Sequence, residues 1–448
     1  MWRTAFTWTL ACTTMVAWAA AEEAPLRVGT AAVELEAEDD MVIAGGIHPG
    51  RAQGEEGRLR AAAVVIEKAG ASKVALVSCD VLMLTRDQLD PAAAEIEERC
   101  GIPAAHVLIA ATHTHHAPST VRVHGYDRDE TFSGRVVRAV VEAVVEADAR
   151  LADATFRFAM GREETVGQNS RLLLADGTVY WVGSRDDAVG PTGPFDPDLP
   201  VLAFADPRGR PLATLFGHST HTIGSLRGGV RSPAFYGMAA LRMEEEHGGS
   251  FLFFQGASGS THRLDVSAAE AADRIAAAVG ATLARAEPRG ADVLAARKRP
   301  FTFRVRTFDE EAEERAVRDY CTRRLGAGAE AVIEVFRNMR AELAPEQGRE
   351  RTTWLQAIRI GDVAIVGIPA EFFTSLGVEL KRRSPFADTV VVELANDWIG
   401  YLPDREAHGL GGYQVWTGFH SYAEPGTGER VVDEAVRLLD ELAEPPLH

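Results

Sequence analysis

Cysteine, positive charge and long apolar runs are all in short supply in this chain, and each shortage excludes something. Four of the 448 residues are cysteine. Cys12 belongs to the N-terminal apolar stretch, so Cys79, Cys100 and Cys321 remain, an odd number at wide spacing that makes no disulfide framework. One pair stays open as an option, but Cys79 sits in the apolar segment 74–84 and reads as a small buried hydrophobe. Lys and Arg number 47 against 65 Asp and Glu, a net charge of -18 with the two signs interspersed. Nucleic acid is excluded as a partner, because phosphate contacts need clustered cations. After residue 25 every hydrophobic run is broken by Asp, Glu, Arg or Gly, which excludes an integral membrane span. Internal repeats, low-complexity tracts and proline-rich linkers are missing too, so one continuous domain is expected. Core-forming material is plentiful: 46% hydrophobic and 25% charged residues describe a chain that buries a large interior.

The first residues have the parts of a secretory signal. Arg3 supplies the positive charge, an uncharged apolar run extends to Trp18, and Ala19-Ala20-Ala21 precedes Glu22-Glu23. This predicts a signal peptide over 1–21, export to the periplasm or beyond, and a soluble mature chain. A lipoprotein cleavage site at Leu10-Ala11-Cys12 is the alternative, with few apolar residues before it.

Hydrophobic periodicity predicts an α/β fold. Segments 73–84 and 107–111 read as buried strands, and 86–99 and 134–154 as the amphipathic helices that follow them. Later strands are expected at 201–204, 212–216, 251–254, 301–305, 356–360, 363–367 and 390–394, and helices at 267–286, 310–324, 329–344 and 431–442. The charged stretch 308–351 carries no obvious catalytic group and reads as a helical insertion.

Two clusters point to chemistry. Thr112-His113-Thr114-His115-His116 follows the buried strand 107–111, and alternation along an extended chain puts His113 and His115 on one face with His116 on the other. Gly217-His218-Ser219-Thr220-His221 follows the apolar run 212–216 in the same way. Each cluster alone suits a set of hydrogen-bonded surface histidines as well as a metal site. Two strand ends bearing imidazoles can converge on one zinc ion, whose ligands lie about 2.0 Å away at any sequence separation, but two His leave the tetrahedral set incomplete.

These motifs, with Ile368-Pro369-Ala370-Glu371-Phe372-Phe373, Gly400-Tyr401-Leu402-Pro403 and Gly412-Tyr413 after them, resemble in order and context those of the neutral, non-lysosomal ceramidases. Arg27-Val28-Gly29-Thr30-Ala31 and Leu76-Val77-Ser78-Cys79-Asp80 are similar as well, so the resemblance runs from about residue 25 to 440. It implies a mixed-sheet α/β zinc hydrolase domain over 25–448, like the N-terminal catalytic domain of that family, that cleaves the amide of an N-acylated, lipid-like small molecule. It further implies Zn2+ held by His113, His218, Glu371 and Tyr401, with His115, Arg171 and Tyr413 facing the substrate. From the residues alone, Glu371 suits the first turn of a helix starting near Phe372, and the tyrosines suit core positions with satisfied hydroxyls.

One motif departs from the family. Where neutral ceramidases carry Gly-Asp-x-Ser-Pro beside the zinc, this chain has Gly259-Ser260-Thr261-His262, so Ser260 replaces the Asp and His262 the serine. The absent serine leaves water activated by zinc as the nucleophile, His115 or His262 as acid or base, and Ser258 and Ser260 as alternative nucleophiles. It also supports a second reading, a catalytically altered relative that acts as a binding protein.

Overall fold

The computed structural model describes residues 25–70 and 72–444; the expected signal segment 1–21 and Cys12 lie outside them. The first unit runs β1 (Leu26–Glu34), β2 (Arg60–Lys68), β3 (Ser72–Cys79), α1 (Arg86–Cys100), β4 (Val107–Ala111) and α2 (Glu130–Ala149). The first three strands are antiparallel neighbours, whereas β4 returns through α1 to lie parallel to β3. A helical crossover is what a parallel pair requires. The cores of β2 and β3, Ala-Ala-Ala-Val-Val-Ile and Val-Ala-Leu-Val-Ser-Cys, are buried throughout because layers cover both faces of the sheet. Helix α1 ends at Gly101 in the left-handed conformation, and Asp129 caps α2 by accepting from the Phe132 amide.

The same order then occurs twice more. The second unit is β5 (Thr155–Arg162), β6 (Asp198–Ala205), β7 (Pro211–His218), α3 (Ala234–His247), β8 (Ser250–Gln255) and α4 (Ala268–Ala284). The third is β9 (Leu294–Arg304), β10 (Glu350–Ile360), β11 (Val363–Ile368), α7 (Thr374–Arg383), β12 (Asp388–Glu393) and α8 (Thr427–Ala443), with α5 (Glu310–Leu325) and α6 (Ala329–Leu343) between β9 and β10. In each unit three antiparallel strands are followed by a helix and a fourth strand parallel to the third. The sequence shows no repeat, yet the backbone repeats a βββαβα unit three times.

The three sheets share one apolar interior. Val28, Leu76 and Leu108 of the first meet Phe156, Leu215 and Leu252 of the second and Leu294, Ile365 and Val392 of the third. The helices form the outer layer: α1 and α2 pack on the first sheet, α3 and α4 on the second, and α7 and α8 with α5 and α6 on the third. Among the described residues no helix is long and apolar enough to cross a membrane. The expected α/β class is therefore the observed one. Several elements differ from expectation: β9 begins at Leu294, because Arg297, Lys298 and Arg299 mask its first half as a charged run, β10 begins earlier, at Glu350, β3 ends earlier, at Cys79, and α2 spans Glu130–Ala149 instead of 134–154. Strands β1, β2 and β5 were not expected, and neither was α3, whose glycine and scattered charges blur the helical period.

Strand direction fixes where chemistry can sit. The parallel strands β3, β4, β7, β8, β11 and β12 all lead their carboxyl ends to one end of the assembly, where the next residues diverge into loops. The connections from first to second strand in each unit, residues 35–59, 163–197 and 305–349, lie at that same end, because those strands run antiparallel to their neighbours.

Candidate metal centre

All six of those strand ends contribute to one buried cluster. Beyond β4, the chain turns at His113 with φ 63, a left-handed conformation uncommon outside glycine, and this turns the ring into the protein. His113 is fully buried, and its Nδ1 lies 3.1 Å from the Leu82 carbonyl beyond β3. A carbonyl only accepts, so Nδ1 carries the proton and Nε2 is bare. His221, three residues beyond β7, is placed by the same device: its Nδ1 donates to the Ser258 carbonyl beyond β8 at 2.9 Å, leaving Nε2 free. Both imidazoles are thus held in the form a metal ligand takes.

Oxygen donors come from the third unit. A two-residue parallel ladder pairs Glu371, beyond β11, with Tyr401, beyond β12. Glu371 Oε2 lies 3.4 Å from His221 Nε2 and 3.6 Å from His113 Nε2, and its Oε1 accepts from the Trp398 indole at 3.1 Å. The Tyr401 hydroxyl stands 3.1 Å from His221 Nε2. His115 Nε2 approaches His113 Nε2 at 3.3 Å, and the ligand atoms of His113, His115 and His221 all lie within 4.8 Å of one another. Burial pushes the Glu371 carboxyl up, but the hydrogen bond to His221 and the attraction of His113 and His221 outweigh it and hold the group below its ordinary range. Burial, with His221 close by, pulls His113 down to about 4. The set is two bare imidazole nitrogens, a carboxylate and a phenol with a third imidazole alongside, and its chemistry fits a borderline cation such as zinc.

His218 is not among these groups. It is the last residue of β7, in phase with Phe216, whose side chain packs under α3 and α4, so strand alternation points it into the helix layer. There its Nε2 donates to the Glu163 carbonyl at 2.9 Å and its Nδ1 accepts from the Tyr236 hydroxyl at 2.5 Å, which leaves no nitrogen for an ion. The geometry corrects the expectation: His221 occupies the position assigned to His218. His116 faces away as strand alternation predicts, and its Nε2 accepts from the Gly224 amide at 3.0 Å.

The remaining expected residues surround the cluster. His262 stacks on His221 with ring centres 4.3 Å apart and planes 16° from parallel, and burial with His221 alongside holds it well below the ordinary histidine range. The partly exposed His115 ring lies against Gly45, where φ 100 and a Cβ position only 2.2 Å from the ring both demand glycine. Arg171, 1% exposed, donates to Gln414 Oε1 at 2.8 Å and to the Gly411 carbonyl at 2.7 Å. It therefore holds the segment that presents Tyr413, and burial pushes its guanidinium down to about 10. The Tyr413 ring meets Tyr401 edge-on at 5.9 Å. Ser258 is bonded through Oγ and N to the buried Glu393, and Ser260 Oγ accepts from the Thr374 amide at 3.2 Å, capping α7. Ser258 Oγ also lies 3.5 Å from His221 Nδ1, on the side of that ring turned from the other ligand atoms, so both hydroxyls are committed to neighbouring groups.

Sequence reasoning missed Trp398, Glu393 and His124. Trp398 and Glu393 lie near recognised motifs but show no spacing that marks them, and His124 stands alone in its loop. His221 lay in a quoted motif and was passed over for its neighbour.

Three mixed sheets enclosing one interior is an architecture already seen in solved structures. The chain is similar to a structure described as a ceramidase complexed with C2, with a TM-score of 0.72 and 20% identity over 94% of this chain and 75% of that one. It is also similar to neutral ceramidase from Pseudomonas aeruginosa, with a TM-score of 0.71 and 20% identity over 95% and 76% of the two chains. The neutral ceramidase fold is thus the fold of this protein. No family model and no curated protein matches the chain by sequence.

Proposed function

We propose that this protein is an exported zinc-dependent hydrolase that cleaves the amide bond of an acylated, lipid-like small molecule, within one catalytic domain spanning 25–448 and carrying 308–351 as a helical insertion. The observation that carries this reading is the convergence of His113 Nε2, His221 Nε2, Glu371 and the Tyr401 hydroxyl beside His115. These residues would hold the ion, which supplies Lewis acidity toward a carbonyl oxygen and toward water. The chain's own groups do the rest. His115 and His262 flank the ligands and can take up and return a proton, Arg171 fixes the segment bearing Tyr413, and Trp398 orients Glu371. The fold shared with ceramidases supports the amide as the bond cleaved.

The commitment of Ser258 to Glu393 and of Ser260 to Thr374 favours water as the nucleophile. It equally supports a second reading, a catalytically altered relative that binds acylated ligands without turnover. Metal analysis of freshly purified protein, joined to hydrolysis assays on a panel of N-acyl amines and amino alcohols, separates the two. Stoichiometric zinc with turnover is expected; absence of turnover across the panel selects the binding protein, and absence of any transition metal overturns the zinc-dependent hydrolase.

A further inference from the structure

Tyr413 is held far more firmly than a core tyrosine needs. Trp181 stacks on one face, with ring centres 4.7 Å apart and planes within 4°, and His420 on the other, at 4.7 Å and 18°. His420 is itself fastened, because its Nε2 donates to the Tyr413 carbonyl at 3.1 Å. The ring is thus sandwiched between two nearly parallel aromatic faces. Its hydroxyl lies 3.0 Å from Nε2 of His124, a residue 5% exposed in the loop before α2.

The direction of that last bond follows from the far side of the imidazole. His124 Nδ1 is 3.0 Å from the Gly46 carbonyl, which can only accept, so Nδ1 carries the proton. Burial pulls His124 down to about 4, so at neutral pH it holds a single proton and its Nε2 is bare. Tyr413 must then donate to His124. Its phenol proton is committed to His124, and the oxygen is left with lone pairs only.

Building on the hydrolase reading above, we propose that His124 is a positioning residue that fixes Tyr413, which packs against Tyr401 of the cluster, as a hydrogen-bond acceptor, so that the site selects substrates offering an N–H donor next to the carbonyl. An amide has that donor. The corresponding ester places an oxygen lone pair there instead and meets the phenol oxygen unfavourably.

Two measurements on the full chain test this separately. The first is long-range 15N–1H correlation NMR of histidine-labelled protein, with the His124 signals assigned from a His124→Gln sample. It should show His124 as the Nδ1–H tautomer from pH 6 to 8, and an Nε2–H or doubly protonated ring overturns the proposal whatever the protein hydrolyses. The second compares kcat/KM for a p-nitroanilide and a p-nitrophenyl ester of the same short acyl chain. Tyr413→Phe and His124→Leu should each lower the anilide-to-ester ratio about tenfold, the worth of one neutral hydrogen bond. His124→Gln, whose amide oxygen still accepts, should restore most of it. A ratio that stays constant while both rates fall would make Tyr413 a donor to both substrates and refute the assignment. Absence of turnover with either substrate counts against the hydrolase reading, and the tautomer then decides the geometry alone. Bound metal and melting temperature show whether each variant is folded.

Discussion

The ends of β4 and β7 look alike in sequence, an apolar strand running into a short segment with a histidine, one or two residues, and another histidine, yet they use their histidines oppositely. After β4 the first histidine is turned inward by a left-handed backbone and faces the centre. After β7 the first histidine still belongs to the strand and keeps the phase of Phe216, which directs it under the helices. The residue that reaches the centre is His221, once the chain has left the sheet. A motif of strand plus histidine therefore identifies an end of the molecule, and backbone phase decides which imidazole faces the centre.

Substitution at these two ends should separate the roles sharply. His113→Ala and His221→Ala are each expected to weaken zinc binding more than about 100-fold, read by competition with a chromophoric chelator. Retention of full affinity by His221→Ala would return the assignment to His218. Next in size is Glu393→Leu, which removes the carboxylate bonded to the Ser258 and Phe372 amides and thus the common support of the His221 and Glu371 segments. An affinity loss of about 10-fold or more is expected, and an unchanged value would make Glu393 irrelevant to the centre.

His218→Phe should leave metal affinity alone and lower stability by about 1–3 kcal/mol in denaturant titration, because it strands the buried Tyr236 hydroxyl and Glu163 carbonyl. Burial holds the folded His218 below the ordinary histidine range, so below about pH 6.5 the unfolded chain takes up a proton that the folded chain refuses. Stability then declines as pH falls, and His218→Phe should flatten that decline. A pH profile identical in the two proteins would mean that other groups govern it. The smallest effect is expected of His116→Ala, about 1 kcal/mol of stability from the lost bond to Gly224 with no change in bound metal.

The alternation of strand and helix was legible because periodicity reports burial directly, and the segments bearing His113, Glu371 and Tyr401 were legible because their order and context resemble a known family. The choice between His218 and His221 was not legible, since it turns on where β7 stops, and strand boundaries leave little trace in composition. The threefold repeat was hidden for a related reason. Each unit needs only apolar side chains at the right phase, and Val-Ala-Leu-Val in β3 serves as well as Leu-Ala-Thr-Leu in β7 or Val-Ala-Ile-Val in β11. His124 and Trp181 lie in loops with no periodicity, and their relation to Tyr413 exists only in three dimensions.

The three connections between first and second strands acquire a meaning from their shared location. One brings Gly45 and Gly46 against His115 and His124, another brings Arg171 and Trp181 to Tyr413, and the third is the helical pair whose Phe336 packs against Tyr413. The candidate ligands follow the ends of the parallel strands, while the walls around them come from the three connections between first and second strands. Such a division lets the walls change length and character during evolution without moving the candidate ligands. Proteins of this fold can therefore be expected to keep one reactive centre and diverge in what they admit to it.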